Sequence, residues 1–309
     1  MNDAAVEERG HIERLVARAG LPIASVVPPV HHHAVLSGRR FHYVEWGTRG
    51  RPAILFLHGG NQSARTWDLV CLALQDRFHC IALDQRGHGD SEWSYEGDYS
   101  PSTQAQDIAQ FADHLGWRRF VLVGMSMGCL TGMYYAADHC ERLTGFVAVD
   151  AGPFIEMRGG AEIMDFVQGN KTHATLDEFV AAAVRFNPRR RPEFLQHSLR
   201  HTVRRMADGT FAWRSDRRFE PKLEWMEAAL AGLVPLLPRF VCPVLVVRGA
   251  ESRVLSQDGF ERFVAALPDG RGVVVPDAGH TVQGDNPKGL IAVLEEFLAA
   301  LELSHPPRD

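Results

Sequence analysis

Short apolar runs bounded by glycine and polar turns punctuate the chain at residues 53–57 (AILFL), 80–83 (CIAL), 120–123 (FVLV), 145–149 (GFVAV), 244–247 (VLVV) and 272–275 (GVVV). Runs this short, with no polar residue interrupting them, fit strands buried on both faces, which is the condition of a parallel sheet. Segments with helical spacing of apolar residues separate most of them, at 67–74, 103–115, 129–137 and 260–267. The alternation predicts an α/β fold: a mostly parallel, doubly wound sheet with right-handed crossovers. Ahead of it, residues 34–36 and 41–46, joined by SGRR, predict an antiparallel edge hairpin.

The alternation fails between residues 153 and 240, where helical patterns at 176–185 and 223–230 stand without strands between them. That stretch reads as a mostly helical cap inserted into the sheet. The expected organisation is an N-terminal arm over 1–33, a core built from 34–152 and 241–303, and the cap over 153–240. Within the arm, Val6, Ile12, Leu15 and Val16 recur at helical spacing. It is expected either to pack as an amphipathic helix or to hang as a loose terminus.

Composition narrows the class of function. With 45% hydrophobic and 23% charged residues, the chain of 309 residues is an ordinary globular protein, neither disordered nor fibrous. A formal charge of −5 gives no footprint for a polyanion, so nucleic acid is not an expected partner. The first twenty residues mix charges throughout and lack an apolar core. They read as neither a secretory signal nor a membrane span, and a cytoplasmic protein without a membrane partner is expected. Composition leaves the oligomeric state open. Five cysteines, an odd number without CxxC spacing, are expected to be buried free thiols. His31, His32 and His33 have no acidic or sulfur neighbours in sequence and read as surface histidines, so no metal and no cofactor are expected. Charge is uneven, however: residues 153–240 carry 14 basic against 11 acidic side chains, and 185–218 alone hold ten arginines. A solvated helix face explains this, and an arginine lining an anionic-substrate pocket is the alternative.

Three segments carry chemistry. FVLVGMSMG, residues 120–128, runs an apolar strand into Gly-x-Ser-x-Gly and then a helical segment. A serine on such a tight turn needs neighbours without side chains, which Gly124 and Gly128 supply, and the following helix aims its positive end at the site. Ser126 is therefore the expected nucleophile. After AILFL comes His58-Gly59-Gly60-Asn61. Its glycine-rich turn can point backbone N–H groups at a reacting oxygen, so Gly60 and Met127, with Asn61 as an alternative, are the expected oxyanion donors. His58 is expected to serve a structural hydrogen bond. The last apolar run leads into PDAGHTVQGDNP, residues 276–287, which sets His280 on a glycine-flanked loop as the base a serine nucleophile needs.

At this point the chain resembles the α/β-hydrolase fold superfamily over residues 41–301, through LHGGNQSARTW, ALDQRGHGDSEWS, LVGMSMG and DAGHTVQGDNP, each in family order. The resemblance implies that the insertion is a lid over the serine and that Asp84, Arg86, Gly87, Gly89 and Ser91 support the fold nearby. It leaves the substrate open, since the fold hosts esterases, lactonases, C–C hydrolases, amidases, perhydrolases and lyases.

The sequence departs from this pattern at the acid that must hold the histidine. Where many similar proteins place an aspartate after the strand VLVV, this chain reads Arg248-Gly249-Ala250-Glu251-Ser252-Arg253. Asp150, ending GFVAVD, is the favoured acid, and Glu251 is the alternative. The expected activity is that of a serine hydrolase, which cleaves a small carboxylic ester or related carbonyl substrate through an acyl-enzyme. Amide or C–C hydrolysis of an acidic intermediate, serine perhydrolase chemistry and a hydrolase-derived ligand sensor are the alternatives. Phe154, Phe186, Trp213 and Trp225 are the expected cap aromatics facing a small-molecule substrate.

Overall fold

The computed structural model describes residues 3–23, 25–219 and 223–304. Strands β1 (Val30–Leu36), β2 (Arg39–Trp46), β3 (Ala53–Leu57), β4 (His79–Leu83), β5 (Phe120–Met125) and β6 (Leu143–Val149) come first. Three short strands follow, β7 (Thr172–His173), β8 (Val203–Arg205) and β9 (Phe211–Trp213), and then β10 (Val244–Gly249) and β11 (Gly270–Val275). Eight of them form one sheet in the order β1-β2-β4-β3-β5-β6-β10-β11. The β1/β2 and β2/β4 pairs are antiparallel, and every other pair in this sheet is parallel. All six apolar runs are strands of it.

The edge hairpin turns on two residues, Ser37 (φ 47°) and Gly38 (φ 75°). Both lie in the left-handed region, the backbone twist that a two-residue hairpin turn matches. The first strand begins at Val30, four residues before the apolar pattern does. An edge strand has a partner on one side only, so His31 and His33 can face outward without cost to the core.

Helices cover both faces of the sheet. One face carries α1 (Asp3–Ala19) and α2 (Asp68–Leu74). The opposite face carries α3 (Pro101–His114) and α4 (Met127–His139). The first turn of α3 is set locally: Pro101 supplies a fixed φ, and the Ser100 side chain accepts the Thr103 N–H at 3.3 Å. In α1 the arm packs rather than hangs, with Ile12, Leu15 and Val16 buried in the same apolar cluster as Trp67 and Leu294.

After β6 the chain leaves the sheet to form α5 (Met157–Gly169), α6 (Leu176–Phe186), α7 (Pro192–Thr202) and α8 (Leu223–Leu233), and returns at β10. The short strands β7, β9 and β8 pair antiparallel inside this insertion, which the helical pattern alone does not suggest. Phe179, Leu195 and Leu199 give the insertion an apolar core of its own. In α6, the Thr175 hydroxyl accepts the Glu178 N–H while the Glu178 carboxylate accepts the Ala174 N–H, a reciprocal cap. The chain closes with α9 (Gln257–Ala266), a single turn α10 (Val282–Asp285) and α11 (Pro287–Ser304). All five cysteines are free and buried. Among the described residues no helix is long and apolar enough to cross a membrane.

Candidate active site

Register brings the chemistry-bearing residues to one edge. Leu57 pairs with Gly124, Met125 with Val149, Val247 with Val149 and Gly249 with Val275. The residues just beyond the carboxyl ends of these strands, His58, Ser126, Asp150 and the loop to His280, therefore converge where ligands bind open α/β sheets.

Ser126 sits between β5 and α4 at φ 51°, ψ −116°, a conformation that L side chains rarely adopt. The surrounding glycines are sterically required. A Cβ on Gly128 would stand 2.5 Å from the Leu57 carbonyl oxygen and 2.7 Å from that of His58, and one on Gly124 would stand 2.4 Å from the Gly128 oxygen. Gly128→Ala should therefore lower stability by about 1–3 kcal/mol, the usual cost of overpacking, because only backbone lies in the way. Thermal melting checks this, and an unchanged melting temperature would mean that the turn relaxes freely.

Asp150, also at positive φ (51°), is fully buried. Its Oδ1 accepts the Gly249 N–H at 2.8 Å, and its Oδ2 accepts the Ser252 hydroxyl at 2.5 Å and lies 2.8 Å from His280 Nδ1. The end of β10 and the loop after it thus supply donors to Asp150 in place of a carboxylate. The Arg248 side chain staples that loop by donating to the Leu255 and Ala250 carbonyls at 2.8 and 3.2 Å. Glu251, the alternative acid, is not brought to His280: its carboxylate pairs with Arg189. It leaves the strand end pointing toward the insertion, where a cation receives it. Ser252 was not recognisable beforehand, because a serine in a loop carries no signal until the carboxylate it serves is located.

Ser126, Gly60, Asn61, Met127 and His280 line one cavity of about 560 Å³, roofed by the insertion. Ser126 and His280 face it without a direct hydrogen bond, and the Ser126 hydroxyl has no protein acceptor among the described residues. Neither Gly60 nor Met127 spends its backbone N–H on a protein acceptor there either. The Asn61 side chain, by contrast, is occupied, accepting the Ser215 hydroxyl at 2.7 Å. His58 is fully buried, with Nδ1 donating to the Gly59 carbonyl at 2.8 Å and Nε2 accepting the Gln85 N–H at 3.0 Å. Burial holds its pKa below the ordinary histidine value. Asp84 anchors the neighbouring loop by accepting the Ala64 and Asp90 N–H groups at 2.6 and 2.9 Å, and Arg86 clamps Asp107 with two bonds of 2.8 and 2.7 Å.

Of the cap aromatics, Phe186 and Trp213 line the cavity. Phe186 stacks on Phe166 at 4.5 Å, and Trp213 packs edge-on to Phe179 at 5.1 Å. Phe154 does not line it: its ring lies under the Arg262 guanidinium at 4.3 Å, because the chain leaving Asp150 turns toward α9. The side chain of Trp225 lies outside the described residues. Ile155, Ile163, Leu199 and Phe219 also line the cavity. Their periodicity does not set them apart from core residues, so sequence alone could not single them out.

Among the described residues two groups bring potential metal-ligating atoms within 4.8 Å of one another, Asp68 with His197 and His201, and His42 with Asp84 and Asp90. None of the six lines the cavity. Asp68 is already bound by Arg65, whose Nε donates to both carboxylate oxygens at 2.9 Å, and His42 Nδ1 lies 2.7 Å from Asp84.

The family model for the alpha/beta hydrolase fold matches residues 52–287. An esterase of Mycobacterium tuberculosis, Rv0045c, is 31% identical over 268 residues, spanning 82% of this chain and 85% of its own. A 2-(acetamidomethylene)succinate hydrolase of Mesorhizobium japonicum is 28% identical over 253 residues, spanning 81% and 88%. A crystal structure of E-2-(acetamidomethylene)succinate hydrolase superposes with a TM-score of 0.78 at 25% identity, covering 88% of this chain and 100% of that one. A strained serine between strand and helix, a buried carboxylate behind a histidine, and these likenesses along most of the chain agree on one conclusion: the chain belongs to the alpha/beta hydrolase fold family and is a hydrolase.

Proposed function

We propose that this protein hydrolyses small carboxylic esters through an acyl-enzyme. Ser126 is the nucleophile, His280 the general base and acid, and Asp150 the group that orients His280. The observation that carries this reading is the 2.8 Å contact between His280 Nδ1 and the buried Asp150 carboxylate, with Ser126 on the wall of the same cavity. Asp150 holds the Nδ1 proton, which leaves Nε2 bare to accept the serine proton. Among the described residues the Ser126 hydroxyl has no competing acceptor, so it is free to turn to Nε2 as substrate fills the cavity, where catalytic hydrogen bonds commonly tighten.

Attack on the ester carbonyl gives a tetrahedral oxyanion, which the Gly60 and Met127 N–H groups and the positive end of α4 receive. Both residues line the cavity, and among the described residues neither N–H has a protein acceptor. His280 then delivers its proton to the departing alkoxide. Water, activated by the same imidazole, releases the acid and regenerates Ser126. Residues 153–240 act as the cap, supplying Phe186 and Trp213 to an apolar wall.

A fluorophosphonate probe tests the reading. It should label the wild-type protein covalently at Ser126 and fail to label Ser126→Ala. Labelling of equal extent in both would place the reactive group elsewhere.

A further inference from the structure

Residues 187–190, Asn-Pro-Arg-Arg, cross from α6 to α7 and lie against the loop that carries His280. Asn187 Nδ2 donates to Asp285 Oδ1 at 3.0 Å, and Asp285 Oδ2 accepts the Gly279 N–H at 3.0 Å. Arg190 lies over Gly284, close enough that a Cβ there would meet its Nη2 at 1.9 Å. Its side chain is only 10% exposed, and among the described residues the nearest carboxylate, that of Asp285, whose side chain is buried, makes a long ion pair at 3.9 Å from Nε, beyond hydrogen-bond reach. Its backbone N–H donates to the Asn187 carbonyl at 3.3 Å, but among the described residues no guanidinium donor of Arg190 reaches a protein acceptor, and its Nε is buried without a partner.

Arg39 and Arg204 also bury an Nε without a partner, but Arg39 donates through Nη2 to Glu96 and Arg204 lies over Trp93, and the most buried arginines are bonded. Arg65 donates to Asp68 and Glu8, Arg86 to Asp107, and Arg248 to the Leu255 and Ala250 carbonyls. Leaving a guanidinium desolvated with open donors is costly unless something else fills them. Four others of the 185–218 cluster are engaged away from the cavity. Arg191 donates to the Arg18 carbonyl, Arg204 lies over Trp93, Arg214 meets Asp90 and Arg218 clamps Asp216. Only Arg189 and Arg190 of that cluster line the cavity, and Arg189 is taken by Glu251. Of the other charged groups on the wall, Arg253 and Glu162 pair with each other, and Asp165 is exposed at the rim.

We propose that Arg190 is a substrate-recognition residue that binds a free carboxylate on the substrate, so that the preferred ester carries an acid group. A guanidinium presents a planar fork that matches a carboxylate with two parallel hydrogen bonds. Arg190 lines the same cavity as Ser126 and His280. A substrate spanning both points presents its carbonyl to one and its anion to the other. The inference rests on the ester-hydrolase reading above and deepens it by naming the substrate class.

The test compares two esters of equal acyl length, p-nitrophenyl valerate and the mono-p-nitrophenyl ester of glutaric acid. The wild-type kcat/KM should favour the anionic ester. Arg190→Gln should lower the ratio of the two kcat/KM values, anionic over neutral, by about 10- to 100-fold, the range of a hydrogen-bonded charge lost from a site. Arg190→Lys should restore part of it. A second arm does not depend on turnover: glutarate should bind the Ser126→Ala protein in calorimetry, and adding Arg190→Gln should weaken binding at least tenfold. An unchanged ratio, an equal fall for both esters, or no glutarate binding would overturn the proposal. Failure of Ser126 to label with fluorophosphonate would instead overturn the catalytic reading, and the glutarate arm would still decide the role of Arg190.

Discussion

Asp150→Asn should lower kcat by about 10⁴-fold with the fold intact, the size of effect seen when a triad acid is replaced by its amide. The Asp150 carboxylate faces three donors, the Gly249 N–H, the Ser252 hydroxyl and His280 Nδ1. An amide has one acceptor oxygen and an NH₂ group that only donates. With the Gly249 N–H holding the amide oxygen at the Oδ1 position, the NH₂ falls at the Oδ2 position. There the Ser252 hydroxyl can turn to accept, but His280 must accept at Nδ1 and carry its proton on Nε2. That tautomer cannot take the proton of Ser126. Glu251→Gln should change kcat by less than about fivefold, since its partnership with Arg189 is an ion pair 41% and 49% exposed and such pairs contribute roughly 0–1 kcal/mol. Steady-state kinetics on a p-nitrophenyl ester, with circular dichroism to check folding, decides between the two carboxylates. A near-normal kcat for Asp150→Asn together with a collapse for Glu251→Gln would reverse the assignment.

Most of the sheet was legible because burial on both faces leaves no room for polar residues. AILFL, FVLV and VLVV are strands wherever they meet flanking helices. The elbow was legible because strain needs glycine at fixed offsets, and Gly124 and Gly128 have backbone atoms within 3 Å of where a Cβ would stand. The carboxylate that lies beside His280 was legible only as a choice between two. What separates them is register: β6 lies between β5 and β10, so the residue after Val149 sits beside the elbow, whereas Glu251 lies two residues past β10 and meets the insertion. The hairpin's early start at Val30 was hidden because an edge strand tolerates outward histidines. The fate of Phe154 was hidden because an aromatic just past a strand end can face the cavity or the sheet, and the turn after Asp150 takes it to α9. Among the arginines, composition indicated a cationic insertion, but only the positions of the partner carboxylates separate Arg190 from those already paired.

The packed arm bears on the largest expected stability effect, that of Asp68→Ala. Asp68 is 1% exposed on α2, and its carboxylate gathers three elements. Arg65, 5% exposed, donates to it and also to Glu8 of α1, and His197 of α7 lies 3.0 Å from Oδ2. His197 in turn meets His11 of α1 at 3.1 Å. Removing the carboxylate leaves the Arg65 guanidinium buried without its main counter-charge, a change that costs about 3–5 kcal/mol. Urea unfolding at neutral pH should show that loss, and a shift under about 1 kcal/mol would mean that Glu8 alone satisfies Arg65. The pH dependence has a definite sign. Burial alone would raise the Asp68 pKa, but Arg65 and His197 outweigh it and hold the carboxyl well below its usual range. Its contribution is therefore present above the unfolded value of about 3.9 and is lost as pH falls through the folded value. His11 acts earlier. Burial, with His197 and nearby arginines, lowers its pKa from 6.5 to about 4, so stability also falls as pH drops through that window, where the unfolded chain binds the proton more readily. Asp68→Asn should flatten the acid limb below pH 4 and leave the limb between 6.5 and 4 in place. Because α7 also carries Leu195 and Leu199 on the cavity wall, the same variants should raise KM for the ester, linking the anchoring of the arm to the shape of the site.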